Sequence, residues 1–318
     1  MRAWNDSICL FFFFIVLSGC GSQGGDPALP LDADLSTEQQ AWSTGVAPDA
    51  PNGSHQWLFS RGLAILRKHA DLPGVGAKLA WLDTPECLAQ VRQGLFDPDF
   101  LHQYTGGRWD LTPETDTFGL LLAGATFAAH FYDPDTGKTY NGKDSPTADE
   151  MVRDVLQSSR TAGAQSQLGL ACHELGVAAH FMGDVAQPMH AALFPANRRP
   201  LYLHTNLERY VMDLQDGYEV DDWDATPQGS LEDLIQGTAK SAKALWPDTM
   251  ASVWEAYQER GCWTWMRIMD NPSCWQGHPA LDAWLGQSLR DAELALARFL
   301  YLADFGPAGD LSGLHAAQ

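Results

Sequence analysis

HELGVAAHFMGDVAQPMHAAL, from His173 to Leu193, decides how the rest of the chain is read. Its small and apolar residues predict a helix followed by a turn, and polar groups recur inside it at one spacing. On an α-helix, residues four apart share a face, so the His180 imidazole and the Asp184 carboxylate can converge on one point. Pro188 cannot continue the helix regularly and biases Gln187 toward an extended backbone, which lets His190 return to the same cleft from another direction.

A second pair with the same spacing follows in HTNLERY, where His204 and Glu208 again lie four apart. Any one of these histidines taken alone could be a hydrogen-bonded core residue. The combined arrangement favours a metal site, and imidazole nitrogen with carboxylate oxygen suits zinc. The sequence contains no Cys-x-x-Cys pair, which argues against a thiolate structural site.

At the start of the chain, Cys9 to Val16 form the apolar run CLFFFFIV, too short to span a bilayer comfortably. It leads into Leu17-Ser18-Gly19-Cys20, which resembles a bacterial lipobox and would make Cys20 the lipidated first residue of an exported protein; an ordinary signal peptide cut nearby is the alternative. Residues 21–41 are rich in Gly, Pro, Asp, Ser and Gln without periodicity and read as a linker or pro-segment. The expected organisation is a signal over 1–20, this linker, a folded domain over 42–306 and a tail over 307–318, in a secreted or lipid-anchored protein.

The net charge of −20, from 40 acidic and 20 basic residues, would repel a polyanion over most of the surface, so no nucleic-acid partner is expected. Bound divalent cations would reverse that sign locally, so a single phosphodiester could still enter the cleft. Of six cysteines, Cys9 and Cys20 belong to the export signal. Export permits disulfides, and Cys262 with Cys274 is the preferred pair, while Cys172 sits in a helical apolar pattern and reads as core.

Along the chain, Ser54 to His69 predicts an amphipathic helix with Ser54 as N-cap. Lys78 to Val91 is helical again, with Pro85 placed to open a second helix and Gly94 to stop it, leaving Asp97-Pro98-Asp99 as a loop. Leu120 to His130 has the composition of a buried helix with His130 as its polar end, and Tyr132 to Lys138 that of a tight turn. Ala148 to Gln157 predicts an exposed amphipathic helix. Further helices are expected around Leu231 to Leu245, Met250 to Glu259 and Leu281 to Ala303, the last being the longest. No convincing strand or hairpin signal is found, so the expected fold class is all-α, a single multi-helix domain.

At this point the motifs HFYDPDTGKTY (His130 to Tyr140) and HFMGDVAQPMHAALF (His180 to Phe194) make the chain resemble the bacterial zinc-dependent phospholipases C, distant relatives of the S1/P1 nucleases. The resemblance runs from Trp42 to at least Asp213, and it implies an all-α domain around a cleft holding about three zinc ions. One would take Asp99, His130, His180 and Asp184. A second would take His190, His204 and Glu208. The third would take His55, Asp184 and the amino and carbonyl groups of Trp42 as a free N-terminus.

The implied activity is cleavage of the glycerol-side phosphodiester of a phospholipid, with phosphatidylcholine as expected substrate, at a membrane surface and by a monomer. Asp99, placed at the open edge of the cluster, would orient or deprotonate the attacking water. Phe127 corresponds to an aromatic wall able to face a quaternary ammonium, and Phe100 stands where choline-selective relatives carry Tyr. Gly45 lies where such relatives place Glu, which removes a counter-charge for choline. His69, His102, His173, His278 and His315 match no ligand position and read as surface or supporting residues. The alternatives are a single-strand nuclease, whose family usually closes its ligand set with Asp rather than the His-x-x-x-Glu form found here, and a non-catalytic zinc-dependent lipid-binding protein.

Overall fold

The computed structural model describes residues 53–100, 103–105, 108–110, 128–140, 146–195, 198, 200, 202–223, 226–262 and 270–305. The expectations for Cys20, the linker, Trp42, Gly45, His102, Phe127, most of Leu120 to His130, His315 and the tail lie outside them. So does the side chain of Phe100. The described chain is built from helices α1 (Ser54–Lys68), α2 (Val75–Leu82), α3 (Pro85–Phe100), α4 (Ala148–Ala164), α5 (Leu168–Val185), α6 (Pro188–Ala191), α7 (Leu203–Leu214), α8 (Leu231–Glu259) and α9 (Pro279–Leu302). No helix among the described residues is long and apolar enough to cross a membrane.

The fold is all-α, with one small departure from the expectation of no strands. β1 (Gln103–Thr105) pairs antiparallel with β2 (Arg108–Asp110). In the sequence these triplets are separated by Gly106-Gly107, a dipeptide suited to a two-residue hairpin, and that was the overlooked signal.

α5 is the central element. Every residue from Glu174 to Val185 is buried, so this helix has no solvent face over that span. α3 packs along it at unusually short range. A Cβ added to Gly94 would stand 2.0 Å from the His173 carbonyl oxygen, and one added to Gly176 would stand 2.2 Å from that of Val91. Gly94 is therefore a crossing point between backbones, which corrects its reading as a helix stop. α3 continues to Phe100 and carries Asp97-Pro98-Asp99 in its last turns instead of a loop; Pro98 removes one amide donor without ending the helix.

The covalent link between these helices also corrects the sequence reading. Cys172 is not a free core thiol but bonds Cys87, joining α3 to α5 across 85 residues. The expected Cys262–Cys274 disulfide is present.

Other boundaries shifted for local reasons. Gly53 rather than Ser54 is the N-cap of α1; it is extended, and its carbonyl accepts the first helical bond from the Trp57 amide at 2.8 Å. Ser54 is the first helical residue and is wholly buried. Gly62 lets α1 close onto α9, where a Cβ would lie 2.9 Å from the Ala297 amide nitrogen. α4 starts at a capping box of Thr147 and Glu150, runs on to Ala164 and buries a face containing Met151, Val152, Val155 and Leu156. The two patterns expected on either side of Pro247 form one 29-residue helix, α8, which is longer than the 24-residue α9. Pro247 removes one backbone donor without ending the helix.

Candidate metal centre

Asp184 sits in the last turns of α5 with no solvent exposure, and histidines approach it from several elements. Its Oδ2 lies 2.8 Å from His130 Nδ1 and 3.3 Å from His180 Nε2. Its Oδ1 lies 3.0 Å from His190 Nδ1 and 3.7 Å from His55 Nε2. Burial would raise the Asp184 pKa, but the charges of His130, His180 and His190 outweigh it and hold the carboxyl well below its usual range.

Three groups of donor atoms gather around this carboxylate: His55 with His180 and Asp184, Asp99 with His130 and His180, and His190 with His204 and Glu208. All eight residues are buried. His55 is contributed by the first turn of α1, Asp99 by the end of α3, His130 by a 3-10 turn (Ala128–His130), His190 by α6, and His204 with Glu208 by α7. Trp42 lies outside the described residues, and the structure brings together the other eight of the nine anticipated ligands.

Asp99 departs from its expected setting. It is buried within α3, with Oδ1 3.6 Å from His180 Nε2, and does not stand on an exposed loop at the open edge. The continuation of α3 through Gly94 is the reason.

The ring orientations suit a cation. His180 Nδ1 donates to the Leu95 carbonyl at 2.8 Å and His204 Nδ1 to the Phe194 carbonyl at 2.5 Å, so each turns its Nε2 lone pair toward the cluster. His55 stacks on His180 with ring centroids 3.8 Å apart. Burial, then the neighbouring His180, pushes the His55 pKa well below its ordinary value, which keeps that imidazole neutral. Neither ring nitrogen of His55 makes a hydrogen bond, nor does Glu208 Oε2, although all are buried. Buried polar atoms left this way are costly unless something else engages them. Five imidazoles and three carboxylates carry a formal charge of about −3, which divalent cations would balance with the donor types that zinc favours. His190 is raised to about 9: burial lowers it, but Asp184 and Glu208 more than offset that. A cation would compete with that proton for the same lone pair.

Several supporting residues escaped sequence reading. Gly183 makes room for His55, since a Cβ there would lie 2.7 Å from His55 Nδ1. The Leu95 and Phe194 carbonyls carry no side-chain signature at all. Gln187 accepts from the His190 amide and donates to Glu208, and only its place before Pro188 hinted at a role. Among the unmatched histidines, His173 bonds Asp97 at 2.7 Å, His69 bonds Asp222 at 2.6 Å, and His278 lies 3.5 Å from Glu259.

Fold and site together define a helical protein with a buried cluster of histidine and carboxylate groups able to hold metal ions. Known proteins of similar sequence are phospholipases C. A phospholipase C of Bacillus cereus is 30% identical over 218 residues, covering 64% of this chain and 65% of that protein. A phospholipase C of Listeria monocytogenes is 27% identical over 285 residues, covering 86% and 85%. The chain thus spans slightly less than two thirds of the length of the Bacillus relative. Among solved structures, the alpha toxin of Clostridium absonum superposes with a TM-score of 0.52 at 19% identity, over 78% of this chain and 63% of the toxin. The Clostridium perfringens alpha-toxin from an avian strain gives 0.51 at 20%, over 81% and 65%. At such identities these two speak for the fold alone. No protein-family model matches the chain. In sequence the chain is thus similar to bacterial phospholipases C, and in fold to the two clostridial toxins.

Proposed function

We propose that the protein is a zinc-dependent phospholipase C, a phosphoric diester hydrolase that cleaves phospholipids, with phosphatidylcholine as substrate, into diacylglycerol and phosphorylated headgroup. The observation that carries this reading is the convergence of the three donor groups on Asp184, with Asp184 shared between two of them in the anticipated ligand scheme. His55, Asp99, His130, His180, Asp184, His190, His204 and Glu208, with Trp42, would hold about three zinc ions. Zinc, when bound, supplies Lewis acidity and makes water nucleophilic at neutral pH.

The chain's own residues then divide the work. Asp99 accepts the proton of the attacking water, the new bond forms at phosphorus, the bond from phosphorus to the glycerol oxygen breaks, and that oxygen takes up a proton to leave as the hydroxyl of diacylglycerol. His180 and His204 help fix the cluster because their Nδ1 atoms are tied to the Leu95 and Phe194 carbonyls, which limits their reorganisation during the reaction. Phe100 and Phe127 are assigned to the headgroup wall. The export signal, with Cys20 as lipid attachment point, would place the protein outside the cytoplasm, where it meets membranes as a monomer.

The test is to incubate zinc-loaded protein with phosphatidylcholine vesicles and, separately, with single-stranded DNA. Release of diacylglycerol and phosphocholine, with DNA left intact, is expected. Asp99→Asn should lower turnover about 10²–10⁴-fold while the helical circular dichroism is kept. DNA cleavage without lipid cleavage would move the protein to the nuclease relatives, and zinc binding with neither activity would make it a lipid-binding protein.

A further inference from the structure

Gln187 joins two of the zinc-ligand candidates through one side chain. Its Oε1 accepts the His190 backbone amide at 3.1 Å, and its Nε2 donates to Glu208 Oε1 at 2.8 Å. The residue is 1% exposed. We propose that Gln187 is the positioning residue of the His190, His204 and Glu208 group, holding α6 and α7 in register so that their ligands face one cation. This rests on the metal reading above.

Chemistry fixes the amide one way round. Exchanging its oxygen and nitrogen would set a donor against the His190 N–H and an acceptor against the Glu208 carboxylate, leaving both buried partners unsatisfied. α6 has only four residues, too few to hold its own shape, so the direction of His190 depends on what pins that single turn. Pro188 fixes the backbone at its first position, and Gln187 caps it. Glu208 comes from α7, 21 residues further along.

Capping alone does not call for glutamine. Ser, Thr, Asp and Asn are the usual N-cap residues because a short side chain reaches the backbone best. A longer amide is explained by its second end. Glu208 Oε1, which Gln187 holds at 2.8 Å, is the oxygen that faces His204 Nε2 at 2.6 Å and His190 Nε2 at 3.6 Å, so the amide orients the atom turned toward the other two ligands. His204 is fixed from behind by Phe194, so each of the three ligands has a support that is not itself a ligand.

The experiment uses the full chain loaded with zinc and titrated with a graded series of zinc chelators, in wild type and in Gln187→Asn, Gln187→Ala and Gln187→Glu. Asn preserves the cap but cannot reach Glu208; Glu preserves the cap but sets a carboxylate against Glu208. All three are expected to release one zinc at 10–100-fold weaker chelator competition than wild type, as losing an outer partner of a ligand does. The Tm of zinc-stripped Gln187→Asn should stay close to that of stripped wild type, which separates ligand positioning from folding. If Gln187→Asn holds its zinc like wild type, the residue is only a cap and the proposal is overturned. Should wild type itself retain no zinc, the metal reading falls, and this proposal falls with it.

Discussion

Gly94 and Gly176 face each other's helices at the point where α3 crosses α5, each so near the opposite backbone that a methyl group would overlap a carbonyl oxygen. The separations of 2.0 Å and 2.2 Å are from main-chain atoms, which cannot rotate away as a side chain could. Gly94→Ala is accordingly expected to destabilise by about 1–3 kcal/mol or more. It should also loosen the site, because Leu95 and Asp99 approach His180 only while this crossing is tight. Thermal unfolding checks the first effect and zinc content the second. A Gly94→Ala protein with wild-type Tm would refute the crossing.

The Cys87–Cys172 disulfide closes a loop of 85 residues and the Cys262–Cys274 disulfide one of 12. In the chain-entropy account the longer loop contributes about 4–5 kcal/mol and the shorter about 3. Replacing Cys87 and Cys172 by Ser should therefore cost more stability than replacing Cys262 and Cys274. Urea denaturation of the two double variants measures the order, and the reverse order would show that the α3–α5 contact survives without its link.

His173 offers a pH signature away from the ligands. Its Nε2 lies 2.7 Å from Asp97 and its Nδ1 3.3 Å from Glu174. Burial lowers its pKa, but these two carboxylates outweigh burial and raise it to about 9. Since the folded value exceeds the unfolded one of about 6.5, the pair contributes fully below that pH and its contribution fades as pH rises through about 9. Stability of wild type should fall across this window, and His173→Gln should flatten the fall. An unchanged slope in the variant would exclude His173 as its source.

Asp184 touches four histidines, so Asp184→Asn should strip more than one metal from the chain. Wild type should hold about three zinc ions. His173→Gln should leave that number alone. Elemental analysis of washed protein decides, and one metal or none in wild type would sink the three-ion reading.

His55 has both ring nitrogens buried without a hydrogen bond, in a group whose other members are His180 and Asp184. A further ligand from the Trp42 α-amino group requires the Ala41–Trp42 bond to be cut, because an amide nitrogen is a poor ligand. Active protein should therefore begin at Trp42, and the cut would also release it from a lipid anchor at Cys20. N-terminal sequencing tests this. Fully active, zinc-saturated protein still starting at Cys20 would contradict it.

The sequence by itself determined what is local. His180 with Asp184 and His204 with Glu208 were legible because four residues along a helix is a fixed geometry, and His190 because proline constrains the turn before it. The long apolar helices followed from composition, and the family resemblance named Asp99, His130 and His55 as partners. Only the tertiary structure decided how α3 meets α5. Whether Gly94 ends a helix or admits another backbone is the same residue seen from two sides, and nothing near it in sequence distinguishes them. Cys172 was as suited to a core as to a disulfide until Cys87 was brought beside it. Gln187 acquired its second bond from a helix folded back across the site. Those outcomes depend on contacts between segments far apart in the chain, which periodicity and composition do not encode.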